Sequence, residues 1–329
     1  MADTKRLLGI AIGGTKCAVT VGHITNDTVT VIKKISVKTF PEDAGKTLSA
    51  ICNAADQLDF EFDCIGIICG GPLDTKRGII NTPPNLPGFN GVKVVEIFES
   101  RYGKPAVLIN DADACALAEW RFGAGRGTEN MIFLTCGTGF GAGLILGGRL
   151  YSGTLGMAGE IGHVRLSEFG GPGYGKIGAA EGFVSGAGIG KTATAVALSY
   201  LQRGEKTALA QSIDDAYRIT AEAVGKAARE GDACASEVMD ITSEKLGDVL
   251  AILADILNPE CFVLGGVYAR CEDLLKSGVV KRFYEEALPT NAQSCRILPS
   301  QLREQIDEYS SLAAAEYAIS KERSKQIWN

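Results

Sequence analysis

Apolar positions in this chain come in short blocks separated by glycine or by polar turn residues. Leu7–Ile12, Cys17–Val21 and Val29–Ile35 are three such blocks, broken at Gly13-Gly14 and at Asn26-Asp27, and they predict a β-meander over 6–36. After Pro41 the spacing changes to a helical one through "EDAGKTLSAICNAADQL". "CIGIIC" (64–69) reads as a buried strand and Val94–Tyr102 as a helix. "AVLI" (106–109) is another strand that runs straight into a helix over Ala112–Trp120. Strands alternating with helices predict an α/β fold.

The pattern then restarts. "MIFLT" (131–135), a glycine hairpin and "GLILGG" (143–148) repeat the design of the opening hairpin. Helical patterns fill roughly 206–229 and 233–257, the strand "CFVLGG" (261–266) follows, and a further helix is expected near 272–287. The C-terminus reads as helical from about Tyr309. Each half thus opens with a strand, a glycine knuckle and a second strand.

A length of 329 residues exceeds the size at which one core usually keeps growing, so two domains are expected. The net charge of -6, with no run of lysines and arginines, argues against nucleic acid or an anionic membrane surface as partner. Ala2–Arg6 is polar and the apolar run after it is short, so no signal peptide is read. No stretch is long and apolar enough to span a bilayer. The ten cysteines form no CxxC pair and sit mostly in apolar runs, as expected of reduced, core-packed thiols in a cytoplasmic protein.

The 41 glycines cluster in bursts, and two bursts occupy equivalent places: "GGTK" (13–16) and "CGTGFGAG" (136–143). A tight hairpin alone needs glycine. Two such turns, each with a threonine, also offer free backbone N–H groups and a hydroxyl to an anion, so a polyphosphate held from both sides is the alternative to plain turn chemistry. "GTGFGAG" matches a dinucleotide signature only in letters, since a run of strand character follows it where that signature opens a helix. "GAGIGKT" (186–192) is one residue short of a P-loop and reads as the glycine-rich start of a helix near Lys191.

"NDADA" (110–114) lies where a strand ends and a helix begins. Asp111 there is either a helix cap or a carboxylate facing the ligand crevice, able to accept the proton of an attacking hydroxyl while Asn110 grips a neighbouring one. "GEIGH" (159–163) sets Glu160 three residues before His163, one of two histidines in the chain. With Glu181 downstream they offer the mixture of donors and acceptors that a polyhydroxylated substrate needs. Zinc is not supported at His163, because "GGPGYGKIGAAEG" after it holds no cysteine or second histidine.

Taken in order, "IGGTK", "GGPLD", "TPPNLPGF", "NDADACALAE", "TCGTGFGAGLILGG", "GMAGEIGHV" and "NPECFVLGG" resemble the ROK family of sugar kinases and sugar-responsive repressors, across almost the whole chain. The resemblance implies an α/β fold of two ribonuclease-H-like (actin-like ATPase) domains flanking a cleft. Residues 1–118 would form the N-terminal domain and 119–308 the C-terminal one, with the helix of about 309–329 returning to the first. It implies Asp111 as catalytic base and Asn85, Asn110, Glu160, His163 and Glu181 around the sugar. Gly13, Gly14, Thr15 and Lys16, with Gly137, Thr138 and Gly139, would wrap the ATP phosphates, and Gly265 and Gly266 would lie against the adenosine. ATP and Mg²⁺ would be used, at the 6-hydroxyl of a hexose or related sugar, by a homodimer.

Four departures from the family pattern stand out. The thiolates of its zinc loop are replaced by Pro172, Tyr174 and Ala179, so no structural zinc is expected and packing by Pro172 and Tyr174 must order the loop instead. Ala11 replaces the strand-one aspartate that ordinarily helps orient the Mg²⁺, which bears on efficient catalysis and not on the fold. Asp113 stands where asparagine is usual, and Arg303 and Asp307 stand where glycine is common.

The alternative reading is a catalytically impaired sugar-binding regulator without a DNA-binding domain, since a first strand from about Leu7 leaves no room for a helix-turn-helix. A chaperone-like or filament-forming ATPase of the same broad fold is disfavoured by "EIGH" and "PNLPGF", which make sense around a sugar.

Overall fold

The opening meander is present and longer than its apolar blocks: β1 (Lys5–Ile12), β2 (Lys16–Thr25) and β3 (Thr28–Lys38). Asn26 and Asp27 take φ of 50° and 59°, the left-handed pair whose twist matches a two-residue hairpin. Then come α1 (Ala44–Gln57), capped by Asp43, the fully buried β4 (Cys64–Cys69), and a small hairpin of β5 (Leu73–Asp74) and β6 (Ile79–Ile80). The segment ends in α2 (Val94–Tyr102), β7 (Ala106–Asn110) and α3 (Asp111–Phe122). The sheet order is β3-β2-β1-β4-β7, with β1, β4 and β7 parallel. The computed structural model describes residues 4–327, with side chains from Thr4 to Ile319. Met1–Asp3 and the last two residues of the expected C-terminal helix lie outside the described residues.

The restart is equally visible. β8 (Met131–Cys136), β9 (Phe140–Leu146) and β10 (Arg149–Leu150) open it, followed by a hairpin of β11 (Pro172–Gly173) and β12 (Lys176–Ile177). Next are α4 (Glu181–Val184), α5 (Gly186–Gln202), α6 (Ile213–Ala216), α7 (Ala221–Arg229) and α8 (Ala233–Leu257). β13 (Cys261–Leu264), α9 (Gly266–Arg270), α10 (Glu272–Glu286), α11 (Pro289–Ser294) and β14 (Arg296–Pro299) complete it. The second sheet has the order β10-β9-β8-β13-β14, the same scheme as the first.

Three local expectations are corrected. The helix expected over 206–229 is broken, because Ser212 caps α6 and Thr220 caps α7 with their own hydroxyls. The strand expected to run to Gly266 stops at Leu264, where Gly265 caps α9 and Gly266 takes a φ of 57°. β9 begins at Phe140, three residues before the expected start.

Among the described residues two compact units result: 4–127, Gly143–Ala158 and 301–327 in one, Thr128–Ala142 and Gly159–Ser300 in the other. In the first, Ser152 donates to Asp113 at 2.7 Å and Lys76 donates to the Thr154 carbonyl at 2.8 Å, which fastens the 143–158 segment. The last helix, α12 (Ile306–Ile327), lies on β1, β4 and α3. It comes so close because Gly9 and Gly66, partners in register, leave a groove; a Cβ on Gly66 would meet the backbone of Ser311, Ala314 and Ala315. All ten thiols are free and nine are buried. Among the described residues no helix is long and apolar enough to cross a membrane.

Candidate active site

In the first unit, β1 and β2 pair down to Ile12 and Cys17, so the glycine knuckle is the tip of this hairpin. Thr39, absent from the sequence reading, fastens the tip. Its hydroxyl donates to the Gly13 carbonyl at 2.7 Å and its N–H to the Thr15 carbonyl at 3.2 Å. Thr39 lies beyond the end of β3, too far along the chain for local spacing to mark it. Gly14 is required by its neighbour, since a Cβ there would stand 2.6 Å from the Asn85 Cβ.

The parallel strands β4 and β7 end together, with Cys69 opposite Asn110. Gly70 and Gly71 follow β4, and a Cβ on Gly70 would lie 3.7 Å from the Asp111 carboxylate. A Cβ on Gly71 would lie 3.7 Å from the Asn110 amide nitrogen. The cap of α3 is Asn110, whose side-chain oxygen accepts from Ala112 N–H at 2.9 Å; Asp111 Oδ1 shares that donor at 2.8 Å. The helix-cap role weighed for Asp111 therefore falls chiefly to its neighbour, and the second carboxylate oxygen of Asp111 faces Gly70.

These groups line one concavity of about 410 Å³ in the first unit, formed by the Gly13–Lys16 turn, Gly70, Asn85, Asp111 and Asp307, with Ala11 in its wall. Asp111 is reached by solvent yet ringed by protein atoms, as a group on the floor of a concavity is. Burial pushes its carboxyl above the usual aspartate value, and the Ala112 N–H offsets this only in part. Asp113 is not among the lining residues: it is buried and accepts from Ser152, so it cannot stand in for a carboxylate at position 11. Arg303 takes a φ of 44°, the left-handed conformation that explains why glycine suits that position.

The second unit gathers the remaining expected residues. Gly137 N–H donates to Gly139 O at 3.1 Å, and Gly186 N–H, at the start of α5, donates to Gly137 O at 2.8 Å. A seventeen-residue helix thus begins beside the second knuckle, with Ser185 as its cap. Its N-terminal end favours an anion there. A Cβ on Gly266 would meet Cys136 O and Gly137 N, so Gly265-Gly266 lie against the same knuckle. Thr138 stands between Gly137 and Gly139 in that turn.

Glu181 accepts from Phe140 N–H at 3.1 Å, and a Cβ on Gly139 would be 3.0 Å from its carboxylate. Glu160 and His163 approach to 3.7 Å, both half-exposed. His163 meets Tyr174 edge to face, with centroids 5.3 Å apart, and its carbonyl accepts from Lys176 Nζ at 2.8 Å. The hairpin carrying both contacts turns at Tyr174 and Gly175, with φ of 45° and 76°.

Among the described residues no three His, Cys, Asp or Glu side chains stand together as a metal site. The carboxylates of the concavity are Asp111 and Asp307. That sparse donor set fits Mg²⁺ arriving with a nucleotide, because such an ion draws most of its oxygens from phosphates and water.

Comparison with known proteins agrees with this architecture. The glucokinase of Halalkalibacterium halodurans is 33% identical over 294 residues, covering 86% of each chain. The N-acetylglucosamine repressor of Escherichia coli O157:H7 is 29% identical over 271 residues, 80% of this chain and 64% of that protein. The crystal structure of a ROK family glucokinase from Streptomyces griseus in complex with glucose and AMPPNP is 28% identical, with a TM-score of 0.75 over 95% of this chain and 99% of that one. The two repeated sheets are those of the actin-like ATPase fold that such proteins share. A family model for ROK matches residues 7–309, and the chain belongs to the ROK family.

Proposed function

We propose that this protein is an ATP-dependent kinase that phosphorylates a hexose or related sugar, at the 6-hydroxyl, with Asp111 as general base. The observation that carries the reading is the shared concavity: the Asp111 carboxylate opens into the same space as the Gly13–Lys16 turn. A base and an anion-binding turn in one space are what phosphoryl transfer to an alcohol requires.

In the reaction, Asp111 takes the proton of the sugar hydroxyl as its oxygen attacks the γ-phosphorus in line, and the bond from that phosphorus to ADP breaks. Backbone N–H groups of Gly13–Thr15 and Gly137–Gly139 stabilise charge on the phosphates, helped by the start of α5. Lys16 adds a positive charge beside the first turn. Gly265 and Gly266 give the adenosine a surface without side chains. Asn85, Asn110, Glu160, His163 and Glu181 bind sugar hydroxyls, the carboxylates as acceptors and the amides as donors. Mg²⁺ bound with ATP supplies charge neutralisation.

The raised Asp111 carboxyl suits a base that must take up and release a proton. A coupled ADP-release assay over a panel of hexoses and N-acetylhexosamines tests the reading. Turnover with one of them and its loss in Asp111→Asn are expected; turnover surviving in that variant removes Asp111 from the mechanism.

A sugar-binding regulator is the second reading, favoured by Ala11 and by the similarity to a repressor. Calorimetry separates the two. A regulator binds sugar without turning over ATP, whereas the kinase binds both and consumes them.

A further inference from the structure

Asp307, in the first turn of α12, is an acidic residue on the wall of a concavity that the proposed function assigns to a triphosphate. It is exposed, and among the described residues its carboxylate makes no hydrogen bond or ion pair. Lys34, on the same wall, is held by the adjacent Glu308 at 2.7 Å. The two carboxylates of the concavity also converge on one neighbour. The Cys115 thiol is pushed up first by burial and then by the negative charges of Asp111 and Asp307.

A carboxylate beside a triphosphate is repelled by it unless a cation lies between them, and the repulsion is strong where water is partly excluded. Strand β1 brings no carboxylate of its own, because it lines the wall with Ala11 and Ile12. A carboxylate in the first turn of α12 suits the helix N-terminus on its own account, but facing the phosphates it also calls for a cation between them. We propose that Asp307 is the carboxylate that orients the magnesium ion of the bound nucleotide, the task for which position 11 supplies no oxygen. The proposal rests on the nucleotide reading of this concavity. Asp307 then acts as a positioning residue, directly or through the water that the ion keeps.

Calorimetry with AMPPNP, with and without Mg²⁺, tests this on the full chain and on Asp307→Asn, whose exposed position leaves the fold unaffected. Only the titration with the metal should weaken. Removing the charge should weaken Mg·AMPPNP about tenfold while leaving metal-free AMPPNP unchanged or tighter. Ala11→Asp added to Asp307→Asn should restore the preference for the magnesium complex. Equal weakening with and without the metal, or no change with it, overturns the proposal. A double variant no better than Asp307→Asn overturns the exchange between positions 11 and 307. Failure of the unaltered protein to bind AMPPNP under either condition overturns the nucleotide reading itself, and is distinguished by appearing before any substitution.

Discussion

The imidazole of His163 stands edge-on to the Tyr174 ring, with planes at 83°, on a hairpin whose Lys176 ammonium also holds the His163 carbonyl. The loop that carries His163 is thus held by an aromatic contact. Such a contact contributes about 1 kcal/mol beyond its buried area. Tyr174→Ala should therefore raise the sugar KM about fivefold with kcat little changed, while Tyr174→Phe should keep the wild-type value. A zinc-selective chelator, with Mg²⁺ maintained, should leave KM unmoved. Equal kinetics for the Ala and Phe variants would show that the ring does not position His163.

Asp111→Asn carries two expectations of opposite sign. Loss of a general base lowers turnover by at least ~100-fold. Stability should rise, because the folded state raises this carboxyl above its unfolded value. The folded protein then binds the proton more tightly, so stability falls as pH rises from the ordinary value of 3.8 through the folded one. At neutral pH the charged group sits in the folded site at a cost that asparagine does not carry, and Asn keeps an oxygen for the Ala112 N–H. A thermal midpoint at pH 7 below that of the unaltered protein would contradict the burial argument. The same titration predicts that kcat/KM falls in acid through a pKa above that of an ordinary aspartate.

Much of this was legible in the sequence, and the exceptions share a cause. A short, continuous apolar run marked β4 and the reading of Val94–Tyr102 as a helix marked α2, both to the residue, and the two knuckles were visible as glycine bursts between apolar runs. What spacing could not give were partners from distant chain segments. Thr39 closes the first knuckle from 26 residues away from Gly13, and Asp307 reaches the concavity from the other end of the chain. The helix expected over 206–229 is interrupted although its apolar period continues through Ser212 and Thr220, because their hydroxyls cap new helices there. β14 escaped notice as a four-residue strand ending in proline.

Glu316 anchors α12 by accepting from Lys5 at 2.8 Å and from Arg121 at 3.2 Å. Burial raises its carboxyl, but the two cations outweigh burial and the net direction is down. A depressed folded pKa contributes stability above the unfolded value near 4.5, and that contribution is lost as pH falls through the folded pKa. Glu316→Gln should cost about 2 kcal/mol at pH 7, the scale of charged hydrogen bonds that remain partly solvated. Denaturation at a series of pH values should show the two proteins converging in acid. A gap that persists at the lowest pH would mean the side chain acts by packing and not by charge.

Gly137 offers the cleanest probe of the second knuckle, because a Cβ built there meets nothing within 4 Å and the residue has no left-handed φ. Gly137→Ala therefore strains neither packing nor backbone, and by restricting the unfolded chain it should stabilise the protein by up to about 1 kcal/mol. Gly14→Ala is the contrasting case, since its Cβ must displace Asn85 and so mixes folding with binding. If phosphates lie against the backbone at Gly137, the added methyl occupies their place and the ATP KM should rise at least ~10-fold with the sugar KM unchanged. An unchanged ATP KM with raised stability would mean that the second turn is only a turn, and the phosphate-binding role would then fall to the Gly13–Lys16 knuckle alone.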